Sequence, residues 1–247
     1  MSAALVALGG ADGGRALVCV PHAGGSVVAF RGWAASARAS GMAASAVHWE
    51  EEDAGSRGIE ERAGALAGEL GALPGPYVLL GHSLGALTAA ETVRRLERDP
   101  AARLPEHLVL CAAAPPGYPR GFPPGVRTAS DTSMREYARE LGGTPESILS
   151  DPEFGPEVLT RLRDDLDLIE RYRPVFDPPL RTPVSIYGGI DDTVVTRDFL
   201  SGWRRLASRT RIRMFAGGHF FLHDRPDEVC RSVIIDCGDS GWAPSGA

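Results

Sequence analysis

Long apolar runs are missing from this sequence: no stretch approaches the ~20 consecutive apolar residues that a membrane-spanning helix needs. Basic charge is scarce as well. Lysine and arginine number 26 against 32 aspartates and glutamates, a formal net charge of -6, so the footprint that a phosphate backbone requires is lacking and nucleic acid is not an expected partner. Cysteine is sparse. Cys19, Cys111, Cys230 and Cys237 form no close pair and no ligand spacing, which argues against a disulfide framework and against a cysteine-bound metal. No cofactor is expected either. The apolar start, Met1 to Leu8, has no basic segment before it and no convincing cleavage site after it, so it does not read as a signal peptide. A soluble, cytoplasmic, monomeric protein is expected.

What is present is enough for one sizeable core: 247 residues, 43% of them hydrophobic. Short runs rich in Val and Leu, at Ala16 to Val20, Tyr77 to Leu80, His107 to Ala113, Val184 to Tyr187 and Arg211 to Phe215, predict strands buried on both faces of a parallel sheet. Helical patterns alternate with them over Gly58 to Leu70, Leu84 to Arg98, Asp198 to Ala207 and Pro226 to Ile235. Such alternation implies βαβ units and an α/β layer architecture. Residues 115–179 break it, opening on a Pro/Gly-rich stretch. They then show an amphipathic helix in which Leu159, Leu162, Leu166, Ile169 and Tyr172 share one face. The expected organisation is a core of residues 1–114 and 180–247 with a helical lid of 115–179 over the strand ends. The tail from Asp236 is expected to fray.

Four segments carry chemistry. Gly81-His82-Ser83-Leu84-Gly85 lies directly between a predicted strand and a predicted helix, the setting of a strained turn that exposes a serine hydroxyl above a sheet. Ser83 also stands at a helix N-terminus, where free backbone N–H groups favour developing negative charge, and Leu84 N–H is the first expected oxyanion donor. Serine needs a base. Of the six histidines, His219 sits in a glycine-rich loop after the last strand, Gly217-Gly218-His219, and follows the serine in chain order. His82 reads as a packing residue, His48 and His107 as surface or strand-flanking ones, and His223 as the entry to the last helix. The orienting carboxylate belongs after a strand between serine and histidine, where Asp191 and Asp192 stand side by side. Matching Gly189, Asp192 and Val195 to a Gly-x-x-Asp-x-x-Val pattern favours Asp192; shifting the match by one gives Asp191, and the loser is expected to cap the next helix. Val20-Pro21-His22-Ala23-Gly24-Gly25-Ser26 follows the first clear strand and offers Ala23 N–H as the second oxyanion donor.

Taken together, the sequence resembles the type II thioesterases of polyketide and nonribosomal peptide synthesis, members of the α/β-hydrolase superfamily. The segments that carry the resemblance are Val20-Pro-His-Ala-Gly-Gly-Ser, Gly81-His-Ser-Leu-Gly-Ala-Leu, Leu141-Gly-Gly-Thr-Pro-Glu, Leu162-Arg-Asp-Asp-Leu with Tyr172, Gly189-Ile-Asp-Asp and Gly217-Gly-His-Phe-Phe-Leu. The resemblance implies an α/β-hydrolase fold, a mostly parallel sheet flanked by helices with a helical lid insertion. It also implies hydrolysis of acyl groups from the phosphopantetheine arm of an acyl or peptidyl carrier protein, as editing of misprimed or stalled synthases. Two departures stand out. Ala46-Val-His-Trp-Glu-Glu-Glu-Asp53 replaces the family's Pro-Gly-Arg segment, and Cys111-Ala-Ala-Ala-Pro115 replaces Gly-Arg-Arg-Ala-Pro. A chain-releasing or cyclising enzyme would use the same triad, and a noncatalytic carrier-binding module with a vestigial site is the reading from a different class.

Overall fold

The computed structural model describes residues 2–11, 13–50, 58–118 and 125–238. Among them seven strands form one sheet: β1 (Ser2–Gly10), β2 (Arg15–Val20), β3 (Met42–Glu50), β4 (Tyr77–His82), β5 (His107–Cys111), β6 (Val184–Gly189) and β7 (Thr210–Phe215). Their spatial order is β1-β3-β2-β4-β5-β6-β7. β1 runs antiparallel to β3, and every other neighbouring pair is parallel. This is a mostly parallel α/β-hydrolase sheet.

Side chains along the central strands alternate between two cores, as the period of two requires. Leu17, Cys19, Val78, Leu80, Val109 and Cys111 join the core that includes Trp33, Val229 and Val233, on helices α1 (Trp33–Ala39) and α9 (Pro226–Gly238). Val18, Val20, Leu79, Leu108 and Leu110 point the other way, into the core shared with α2 (Ile59–Gly71) and α3 (Leu84–Leu96). With helices on both faces the central strands need no polar side, and β4 is buried at every residue.

Between β5 and β6 stand α4 (Asp131–Leu141), α5 (Glu146–Leu149) and α6 (Phe154–Arg171), and after β6 come α7 (Arg197–Ser201) and α8 (Phe221–Asp224). Polar contacts tie the three inserted helices together. Arg163 of α6 reaches Asp131 of α4 at 2.7 Å, and Arg139 of α4 grips Glu146 of α5 through two bonds of 2.7 Å.

Several expectations are corrected. The strands β1 and β3 at one side of the sheet and the helix α1 have no counterpart in the predicted elements, because their alanine-rich sequences lack the β-branched or periodic signal; pairing in the sheet decides the strands. The strand predicted to Ala113 stops at Cys111, since Ala112 turns to φ +49°. The helix predicted over Asp198 to Ala207 divides into α7 and a 3-10 turn, Gly202–Arg205. His107, read as surface or strand-flanking, is buried in β5 against Ser185, 2.9 Å away. Helix α9 continues through Asp236 to Gly238, because the Asp236 carboxylate is buried and accepts from Ser185, Tyr187, Arg211 and Arg213. Glu51 to Asp53 of the atypical loop, residues 119–124 of the Pro/Gly-rich stretch and the tail from residue 239 lie outside the described residues.

Candidate active site

Ser83 sits between β4 and α3 with φ +53° and ψ -115°. For a residue with a side chain that conformation costs on the order of 1–3 kcal/mol and persists only where the surroundings impose it. Two close approaches do so. A Cβ on Gly81 would lie 2.2 Å from Gly85 O, and a Cβ on Gly85 would lie 2.2 Å from Val20 O and 2.5 Å from Pro21 O. Strand, turn and the loop after β2 are therefore pressed together. Ser83 N–H donates to Cys111 O at 2.9 Å, which pins the turn to β5.

The same contact bears on the two backbone donors expected from the sequence. Leu84 is the first residue of α3, where N–H groups have no acceptor within the helix. Ala23 is buried in the loop that Gly85 touches at Val20 and Pro21. The glycine at position 85 thus lets the N-terminus of α3 and the loop carrying Ala23 meet.

His219 follows β7 and Asp192 follows β6, and both side chains are buried. His219 Nδ1 lies 2.9 Å from Asp192 Oδ2. An ionised carboxylate only accepts, so Nδ1 carries the proton and the lone pair stands on Nε2. The other carboxylate oxygen, Asp192 Oδ1, accepts from the N–H groups of Val194 and Val195, each at 2.9 Å. Asp191, one residue earlier, is exposed and touches the histidine loop only through its backbone, its N–H donating to Gly217 O at 2.9 Å. It does not cap α7, whose N-cap residue is Thr196.

Ser83 and His219 line one cavity with Leu87, Tyr137, Leu166, Ile169, Val195 and the backbone-strained Ala112. Its walls are mostly apolar, and α4 and α6 contribute Tyr137, Leu166 and Ile169. The arrangement brings a hydroxyl, an oriented imidazole and an apolar chamber together, which suits attack on a carbonyl attached to an apolar chain.

The sequence reading missed a histidine cluster. His22, His82 and His223 each bring a ring nitrogen within 4.8 Å of the others, close enough to be weighed as metal ligands. Their rings, however, pack edge to face on one another and on Phe220, the residue after His219. His82 Nε2 donates to His219 O at 2.9 Å, so the expected packing residue also tethers the backbone of His219. Burial keeps all three imidazoles neutral: it lowers His22 to about 3 and His223 to about 4, and holds His82 well below its ordinary value. Unfolded, each would titrate near 6.5, so below that value, down to about 3 for His22 and about 4 for His223, the unfolded chain binds more protons and stability falls as pH falls. Going from pH 7.5 to pH 5 costs roughly 2 kcal/mol for each histidine that stays neutral. Urea unfolding at the two pH values checks this; equal free energies would contradict it.

Asp165 was also passed over. It lies four residues before Ile169 on the apolar face of α6 and is buried, with its carboxylate bonded to Gly24 and Arg62. A charge at a core-facing position of an amphipathic helix was the available signal. The Leu141-Gly-Gly-Thr-Pro segment acquires a role too. A Cβ on Gly143 would stand 2.2 Å from Phe220 Cζ, so this segment lies against the ring that follows His219.

Comparison with known proteins decides the family: the thioesterase domain family matches residues 15–236. This chain belongs to the thioesterase family. The thioesterase is 30% identical over 219 residues to the gramicidin S biosynthesis protein GrsT of Aneurinibacillus migulanus, covering 86% of this chain and 85% of that one. It is 32% identical over 223 residues to the AMB antimetabolite synthetase AmbE of Pseudomonas aeruginosa, covering 87% of this chain but only 10% of that much longer one. Among solved structures it superposes on YbtT, a type II thioesterase from the yersiniabactin NRPS/PKS pathway, with a TM-score of 0.83 at 28% identity, covering 94% of this chain and 97% of that one. No helix among the thioesterase's described residues is long and apolar enough to cross a membrane.

Proposed function

We propose that this thioesterase hydrolyses acyl groups from the phosphopantetheine arm of an acyl or peptidyl carrier protein, clearing misprimed or stalled chains in the cytoplasm, with Ser83, His219 and Asp192 as its triad. The observation that carries the reading is that His219, bonded through Nδ1 to Asp192, lines the same apolar cavity as Ser83. His219 Nε2 takes the Ser83 hydroxyl proton as Oγ bonds to the thioester carbon. The negative charge that collects on the carbonyl oxygen is met by the N–H groups of Ala23 and Leu84. Collapse breaks the C–S bond, and His219 delivers its proton to the departing thiolate. Water then enters. His219 removes one of its protons as its oxygen attacks the acyl-serine, and the same proton returns to Ser83 Oγ when the acid leaves.

In this reading residues 115–179 act as the lid. They supply the upper wall of the acyl chamber through Tyr137, Leu166 and Ile169, which suits an apolar acyl chain.

Mass spectrometry of a panel of acylated carrier proteins, before and after exposure to the enzyme, tests substrate and partner together. Loss of short acyl groups from several carriers is the expected result. Hydrolysis confined to one full-length chain mimic would replace editing by chain release, and a preference for matched oxygen esters over thioesters would overturn the carrier-arm reading.

A further inference from the structure

We infer that Asp165 is a positioning residue that clamps the loop after β2 and so sets the direction of the Ala23 N–H; the inference rests on the proposed roles of Ser83 and Ala23. Its carboxylate joins two segments far apart in the chain. Oδ2 accepts the Gly24 N–H at 2.7 Å, and Oδ1 accepts from Arg62 Nη2 of α2 at 2.6 Å. The guanidinium of Arg62 in turn lies over the Trp49 ring of β3, 5.6 Å from its centre. A buried carboxylate on the apolar face of a helix is unfavourable unless hydrogen-bonded and paired, and here both oxygens are engaged.

The Gly24 N–H and the Ala23 carbonyl belong to one peptide plane. Holding that plane constrains ψ of Ala23, which places the Ala23 nitrogen relative to it and so limits where the Ala23 N–H on the other side of the same Cα can point. The Gly25 N–H donates to His22 O at 2.9 Å and closes a turn over Ala23 and Gly24, with Gly24 at φ +71°; the Asp165 bond holds the central peptide of that turn. Helix α6 packs close enough that a Cβ on Gly24 would lie 3.6 Å from Leu162 Cα. Leu166, the residue after Asp165 on α6, lines the cavity of Ser83. Six residues on, Tyr172 O–H donates to Glu91 Oε2 of α3 at 2.8 Å. The inserted helix is therefore tied both to the loop bearing Ala23 and to the helix that begins at Leu84. It serves as a fixed reference for both oxyanion donors as well as a wall of the chamber.

Asp165 touches no reacting atom, so its effect must pass through the loop. On a short acyl-pantetheine thioester, Asp165→Ala is expected to lower kcat by about tenfold to hundredfold, less than outright loss of an oxyanion donor. KM should move far less. Asp165→Asn keeps an oxygen that can accept the Gly24 N–H and should restore most of the rate, while Arg62→Gln leaves the Gly24 bond in place and should lose less than Asp165→Ala. Affinity for an acyl trifluoromethyl ketone, which Ser83 converts to an oxyanion adduct, should fall in step with kcat/KM. Hydrogen exchange at the Gly24 amide of the unaltered enzyme gives a reading that needs no variant to fold: protection supports the clamp, and exchange at the rate of an open loop overturns it. A raised KM with kcat unchanged in Asp165→Ala would also overturn it. Ser83→Ala separates the two levels. If that variant is inactive while Asp165→Ala keeps full kcat, the clamp alone fails; if Ser83→Ala stays active, the underlying mechanism fails.

Discussion

Replacing Ser83 by Ala is expected to lower kcat by about 10⁵- to 10⁶-fold, the scale on which a triad nucleophile matters in serine hydrolases. The strain at φ +53° gives the prediction its structural content. A backbone held in that conformation by Gly81 and Gly85 presents whatever side chain stands at position 83 to the cavity, and alanine presents no oxygen. The variant should fold as the parent does, since the elbow is fixed by its neighbours and by the Ser83 N–H bond to Cys111 O. Mass spectrometry after rapid quenching should find a covalent acyl adduct in the parent enzyme and none in Ser83→Ala. Retained turnover would remove Ser83 from the mechanism. Carrier binding without turnover in the parent enzyme would favour a noncatalytic module.

The second large effect is expected at Asp192. Its Oδ1 is held by the N–H groups of Val194 and Val195, which leaves Oδ2 to face His219 Nδ1. In Asp192→Asn the single amide oxygen is the group that those two N–H donors select, so the NH2 turns toward His219. The imidazole must then accept at Nδ1 and carry its proton on Nε2, the wrong tautomer for a base. A loss of about 10⁴ in kcat is expected, as for the corresponding change in other serine hydrolases. Asp191→Asn, on an exposed side chain, should stay within about twofold, the range of a surface substitution away from the reacting groups. Kinetics of the two variants side by side decide between the aspartates. A larger loss in Asp191→Asn would reverse the assignment.

How much could be read without coordinates differed from part to part. The central strands were legible because burial on both faces makes them continuous apolar runs, and the elbow because glycines at fixed offsets admit one kind of turn. Strands β1 and β3 were not, since their alanine, serine and glycine content carries no strand signal and their pairing is a tertiary event. Helix α6 is legible from its periodicity, yet the same periodicity hides Asp165, a charge that points inward among the apolar residues. The histidine cluster was invisible for a related reason. His22, His82 and His223 come from three separate segments; alone, His82 reads as a packing residue, His223 as the flank of a helix and His22 as a residue after a strand that could face the site.

By itself the sequence determined the α/β layering, the elbow at Ser83, the order serine, aspartate, histidine and the amphipathic character of α6. All of these follow from local periodicity or from short glycine motifs, which act over a few residues. Only the tertiary structure decided which of two adjacent aspartates reaches His219, because a choice of one residue depends on where β6 ends and which way its loop turns. It also decided that the Gly24 loop is held by a carboxylate 141 residues away and that His82 grips the backbone of His219. Contacts of that kind arise when distant segments are packed together, and no spacing along the chain encodes them.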